Sequence, residues 1–366
     1  MNIDKNSPLP RYYQMQEIIR KIIVDNNMHP GDKLPSESEF TKKYGISRLT
    51  LRRAISELVS EGIIRTERGK GTFVAGPVDL RKTNNYPQAS MIGLITPSDD
   101  WFSNRILRGV EQIIQANAYQ LLVAVSRKNI DKEKEAIRSQ RRAGARGLVI
   151  YPSDSDYQGN DMHIAELQNH ALPFVLIDRY LKDLNTDYVI TDNEVGAYKI
   201  VTHLIEQGHR RIGFLTESVL CNTASDDRLE GYRRALLDHG LTFEEKLVGR
   251  TGETEGGIRS FLRIAKPSAV FCIHDIAAIR TMRIIREEGL RIPDDIAVVG
   301  YDDIDVSDHL EVRLTTMRQP LLEIGRTAAT MLLRKINGEV GMEEVQQEVL
   351  TSELVVRESS VPIERR

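Results

Sequence analysis

From Met91 onward short apolar runs alternate with amphipathic stretches, and this alternation constrains the fold more than any other feature of the chain. Ile92–Ile95, Gln120–Val125, Gly147–Tyr151, Pro173–Ile177, Ile212–Leu215, Ala269–Ile273 and Ile296–Tyr301 read as strands. Between them, Ile106–Asn117, Ile130–Arg142, Ile164–Asn169, Val195–Gln207, Arg228–His239 and Ala277–Glu288 carry apolar residues at helical spacing. Apolar strands separated by helices imply an α/β fold, a parallel sheet covered on both faces. About 275 residues exceed what one such sheet organises, so two Rossmann-type βα subdomains are expected. No run approaches the roughly 20 apolar residues of a bilayer span. The start, MNIDKNSPLPRYY, lacks a basic and apolar leader, so a cytoplasmic protein is expected. Cys221 and Cys272 lie among apolar residues and read as buried free thiols.

The first 76 residues have a different pattern. Tyr12–Asn26 spaces Met15, Ile18, Ile19, Ile22 and Ile23 as a helix, and Pro30-Gly31 breaks it. Ser36 with Glu39 three residues on forms a capping box for a second helix, ended by Gly45. Ser47 caps a third, about Arg48–Glu61, with Leu51, Ile55, Leu58 and Val59 expected inside. Arg48, Arg52 and Arg53 crowd its start. Ile63–Glu67 and Thr72–Val74 then read as a hairpin around Arg68-Gly69-Lys70-Gly71. A cationic helix start suits a major groove, and a basic glycine tip suits a minor groove. Each feature alone is ordinary, but their occurrence together within forty residues is not. Residues 1–76 hold 13 Lys and Arg against 9 Asp and Glu, a net +4. The whole chain is −3, so the remainder carries −7, as a nucleic-acid reader on an acidic partner domain would.

The run PGDKLPSESEFTKKYGISRLTLRRAISELVSEGIIRTERGKGTFV resembles the winged helix-turn-helix DNA-binding domain of the GntR family. The resemblance implies that Glu37 and Arg48 read bases, and that Ser47, Thr50 and Arg52 contact bases or phosphates. It also implies that Arg68, Lys70 and the Gly71 backbone form the wing tip. Gly76–Ser90 has no apolar period and reads as a tether. The expected organisation is a reader at 1–76, a linker at 77–90 and a ligand-binding and dimerisation domain at 91–366.

In open parallel sheets, ligands sit beyond the carboxyl ends of the strands. There this chain places Trp101 and Phe102, Tyr151, Asp178 and Arg179, His274 and Asp275, and Asp302; Arg228 follows a polar loop. Carboxylates and guanidiniums make the paired hydrogen bonds that hydroxyls satisfy, and an aromatic face covers a sugar ring. An acid after a strand can equally cap the next helix.

GLITP, VLIDR, DDRLEGYRRAL, AVFCIHDIAAIRTMRIIREEGLRIPDDIAVVGYDDID and LTTMRQP, in this order, resemble the effector domain of the LacI/GalR family, a fold like periplasmic sugar-binding proteins. The resemblance implies that Arg228 and Asp302 bind effector. It maps Asp178 and Arg179 to a ligand segment, and it places His274 where that family often has Asn. A GntR-type reader on such a sensor resembles the arabinose-repressor group. That implies a homodimeric repressor of a palindromic double-stranded DNA operator, released by a carbohydrate such as L-arabinose or a related pentose.

Two other classes fit the chain less well. A carbohydrate-binding transport component would have no use for the reader. An enzyme would need a phosphate loop, a metal-spaced Cys/His set or a nucleophile–base pair; none is evident, and neither cofactor nor metal is expected. His203 and His209, six residues apart, are off helical register and read as structural or solvated. A nucleobase or amino acid stays open as the alternative effector.

Overall fold

The computed structural model describes residues 11–26, 28–60, 62–67, 70–75, 91–153, 164–165, 167, 172–182, 184–216, 222–251 and 254–361. They separate into two compact units, one within 1–89 and one within 90–366. The tether, Arg68, Cys221 and most of the helix expected at 164–169 lie outside the described residues.

In the first unit three helices, Arg11–Asp25, Glu37–Tyr44 and Arg48–Ser60, precede a hairpin of β1 (Ile64–Glu67) and β2 (Gly71–Val74). The Ser36–Glu39 capping box is formed in both directions, and Gly45 ends the second helix in the left-handed region at φ 63°. Ser47 Oγ accepts the Thr50 amide at 3.1 Å and so caps the third helix. Met15, Ile19, Phe40, Leu51, Leu58, Ile64 and Val74 close a single small core. Val59 departs from expectation: it is exposed, and Ala54 takes the inward position instead. The buried stripe is Leu51, Ala54, Ile55 and Leu58, the i, i+3, i+4, i+7 set of one helical face.

The second unit contains two parallel sheets. One lobe is built on β3 (Met91–Thr96), β4 (Gln120–Val125), β5 (Ala145–Ile150), β6 (Phe174–Ile177) and β7 (Tyr188–Thr191). The other is built on β8 (Ile212–Thr216), β9 (Val248–Arg250), β10 (Ala269–Cys272) and β11 (Ala297–Val299). The chain then runs through β12 (Thr316–Arg318), back to the first lobe at β13 (Gln347–Leu350), and out again at β14 (Glu353–Val355), which pairs antiparallel with β12. The strand orders are β13-β7-β6-β5-β3-β4 and β11-β10-β8-β9. The expected two-subdomain α/β architecture is therefore present.

Three crossings connect the lobes, at 191–193, 318–321 and 350–353, and they bond to one another. Thr191 Oγ1 donates to Gln319 Oε1 at 2.7 Å, and the Asp192 amide reaches the Leu350 carbonyl at 2.8 Å. The helix Leu321–Ile336 returns to the first lobe and packs on Trp101–Ala116 at a point where both are glycine. A Cβ on Gly109 would lie 2.1 Å from the Leu322 carbonyl oxygen, so only glycine permits this approach.

Two helices begin five residues before the periodic pattern does. Trp101–Ala116 is capped by Asp100 and Thr223–Asp238 by Asn222. Trp101 and Phe102 thus lie in a first helical turn. Arg228 sits in a second turn rather than opening its helix. Cys272 is buried, and burial pushes its thiol up to about 12.

Candidate functional site

The small unit presents a helix start edged with cations. Arg48 and Arg52 are exposed there, and Arg52 Nε donates to Glu37 Oε2 at 3.2 Å. This ion pair ties the starts of the second and third helices together. Arg53 is drawn elsewhere: its guanidinium stacks 3.9 Å from the Tyr12 ring, and its Nε meets Glu57 Oε1 at 3.3 Å. It clamps the first helix to the third. Thr50 Oγ1 and Ser47 Oγ lie 2.8 Å apart and serve the cap. At the wing, Lys70 is exposed beside Glu67, and Gly71 has φ 125°, a conformation closed to other residues at little cost. Arg48, Arg52, Ser47, Thr50 and Glu37 therefore share one end of the unit.

Between the two lobes of the larger unit lies a cavity of about 280 Å³ at the carboxyl ends of the strands. From the first lobe come Trp101, Phe102, Tyr151, Asp178 and Arg179; from the second come Arg228, His274 and Asp302. Phe102 and Tyr151 form one aromatic wall, with ring centroids 5.9 Å apart. Arg179 reaches Asp178 at 3.3 Å and the Tyr151 hydroxyl at 3.2 Å.

Arg228 is buried and held on three sides. Its Nε donates to Asn193 Oδ1 at 2.9 Å, its Nη1 to the Ile273 carbonyl at 2.6 Å, and its plane lies 3.8 Å from the Tyr301 ring. Nη2 is 3.7 Å from Asp302 Oδ1. A guanidinium fixed in this way loses little side-chain freedom when it meets a ligand. Burial pushes the Asp302 carboxyl up, and Arg228 pulls it back. Asp178 and Asp302 both adopt left-handed backbone, at φ 68° and 116°. Non-glycine residues there store strain of roughly 1–3 kcal/mol each, which a fold keeps where a side chain must be aimed.

His274 caps the helix Asp275–Glu287, its Nδ1 accepting the Ala277 amide at 3.0 Å. A neutral ring bonded in this way carries its proton on Nε2, and so is a donor on its other edge. Asp275 is not brought to the cleft. It is fully buried beneath it, accepting from Thr316 at 2.6 Å, Ser307 at 2.8 Å and the Ile304 amide at 3.0 Å. The side chain after the strand turns inward because Gly300 leaves room for its carboxylate. Its role is to hold the Ile304–Ser307 segment.

Three residues complete the site beyond those expected. Asn193 fixes Arg228, and Gln319 Nε2 donates to Asp302 at 2.8 Å, joining the cleft to the crossings. Lys128 lines the mouth. Gln319 stands just before Pro320 in LTTMRQP, a visible signal; Asn193 had none beyond its place at a helix start. Two ion pairs link the lobes around the cleft: Arg105 to Asp305 at 3.2 Å, and Lys182 to Asp226 at 2.9 Å. Beside the latter, Thr223 Oγ1 bonds the Tyr180 backbone on both sides.

Residues 11–74 match the family of bacterial regulatory proteins of the gntR type, and residues 201–360 match the periplasmic binding protein-like domain. The chain is 33% identical to an arabinose metabolism transcriptional repressor of Geobacillus stearothermophilus, over 98% of this chain and all of that one. It is 32% identical to a ribose operon repressor of Haemophilus influenzae, over 84% of this chain and 91% of the other. Among solved structures it resembles a complex of the transcriptional regulator CelR with cellobiose, at TM-score 0.67 and 29% identity, covering 86% of this chain and 91% of that one.

Proposed function

The chain belongs to the family of transcriptional repressors that join a gntR-type reader to a periplasmic binding protein-like sensor, and from that membership we propose that it is a sugar-responsive repressor. A reader at 1–76 binds an operator duplex. A tether at 77–90 connects it to a sensor at 91–366, which binds a small carbohydrate and then releases the DNA. Two chains act together on a palindromic site in the cytoplasm, since paired readers need two half-sites at fixed spacing. The reading requires binding and conformational change, and no reaction.

One observation carries it: two acid–guanidinium pairs, Asp178 with Arg179 and Arg228 with Asp302, face a single cleft from opposite lobes. Each pair offers donors and acceptors side by side, the pattern that neighbouring hydroxyls match. The acids and cations offset one another, which favours an uncharged ligand over a phosphorylated one. The relative that is an arabinose metabolism repressor makes L-arabinose or a related pentose the first candidate.

A nucleobase is less well served. It would want an aromatic face on each side, but Phe102 and Tyr151 stand together on one lobe, and Tyr301 lies buried under Arg228.

Thermal-shift screening against pentoses, hexoses, their phosphates, amino acids and purines tests the sensor. A neutral sugar should raise the melting temperature by several degrees and weaken operator binding in a gel shift. If only purines or amino acids stabilise the protein, the sugar is wrong.

A further inference from the structure

Leu49 is 81% exposed, more than any other large apolar side chain among the described residues. A lone exposed leucine needs no explanation, but this one has a particular place. It lies in the first turn of the helix Arg48–Ser60, whose inward face is Leu51, Ala54, Ile55 and Leu58. At about 100° per residue, position 49 is diametrically opposite that face. Its cationic neighbours are constrained: Arg52 leans on Glu37, and Arg53 lies over Tyr12. Thr50 is engaged in the helix cap with Ser47. Beside the exposed Arg48, this turn therefore also presents a side chain that can neither donate nor accept a hydrogen bond. In a major groove the apolar feature it can meet is the 5-methyl group of thymine.

We propose that Leu49 is a specificity-determining residue of the reader, selecting a thymine in each half-site through its methyl group. This rests on the DNA-binding reading above. The test uses the full chain. Preferred duplexes are selected from a random library, and each half-site thymine is then replaced in turn by uracil, which keeps every hydrogen-bonding edge and loses only the methyl. One replacement per half-site should weaken the wild type roughly tenfold to twentyfold, the value of two buried methyl groups, one at each half-site. The Leu49→Ala protein, which loses no core contact, should melt as the wild type does and bind both duplexes alike at that position. The proposal is overturned if no replacement weakens the wild type, or if Leu49→Ala loses as much as the wild type does. Selection of no sequence at all would overturn the DNA-binding reading and this proposal with it.

Discussion

Asp275 is an acid enclosed by protein on every side. Burial raises its carboxyl to about 7, and neighbouring Asp302 adds to the rise, while bonds from Thr316, Ser307 and Ile304 oppose it. Unfolded, the same group titrates near about 3.9. Between those values the folded chain keeps a proton that the unfolded chain has lost, so stability falls as pH rises. The contribution is complete below about pH 4 and lost as pH passes about 7. Asp275→Asn mimics the protonated form: its amide oxygen accepts from Ser307 and Ile304, and its N–H donates to Thr316. We expect the wild-type melting temperature to decline between pH 5 and 8 and the variant's decline to be clearly shallower. Equal slopes would assign the effect to another acid, such as Asp302. For Asp302→Ala the expectation differs, because this residue faces the cleft: effector response is lost while operator binding is retained, read by gel shift with and without sugar. For Arg52→Ala, operator affinity should drop at least tenfold with the fold intact by circular dichroism.

At the scale of elements, capping carries more of the sequence's information than periodicity does. Ser36→Ala removes the hydroxyl that accepts the Glu39 amide, leaving only the backbone half of the capping box, and should cost roughly 1 kcal/mol of the reader's stability, measured by denaturant unfolding. The same kind of signal locates what the periodic pattern misses. Trp101–Ala116 and Thr223–Asp238 open with polar or aromatic turns that show no apolar period, so their starts are visible only through Asp100 and Asn222. Strands such as Met91–Thr96, Ala145–Ile150, Phe174–Ile177 and Ala269–Cys272 are legible because burial on both faces makes them continuous apolar runs, whereas the parallel strands Tyr188–Thr191 and Gln347–Leu350 are not expected from the pattern. Short strands such as Val248–Arg250 and Thr316–Arg318 are not, since three residues carry no period. The cleft was legible where strand ends carry charge, at Asp178, Arg179 and Asp302. It was not legible in which of two adjacent residues turns inward: His274 and Asp275 are both expected at the cleft, but only His274 lines it, because Gly300 makes space for the Asp275 carboxylate beneath.

At the scale of the whole molecule, closure of the lobes has to be connected to DNA. Gln319 bonds both Asp302 and Thr191, so Asp302 is joined to the crossings through a single side chain. The rim pairs Arg105–Asp305 and Lys182–Asp226 hold the lobes together, and exposed pairs of this kind are worth at most about 1 kcal/mol. Lys182→Ala therefore should not abolish binding but shift the balance towards the open cleft. Sugar affinity should fall by roughly threefold to fivefold, within that 1 kcal/mol. Linkage then makes a prediction that no choice of sugar can evade. If the sugar weakens operator binding by some factor, saturating operator must weaken sugar binding by the same factor. Calorimetric titration of sugar into the free protein and into its operator complex measures one factor, and operator titrations with and without sugar measure the other. Equal factors in the wild type, and the same coupling in Lys182→Ala despite its lower sugar affinity, would place the rim pairs in closure alone. A smaller coupling in that variant would mean that the closed rim itself carries the signal towards the reader.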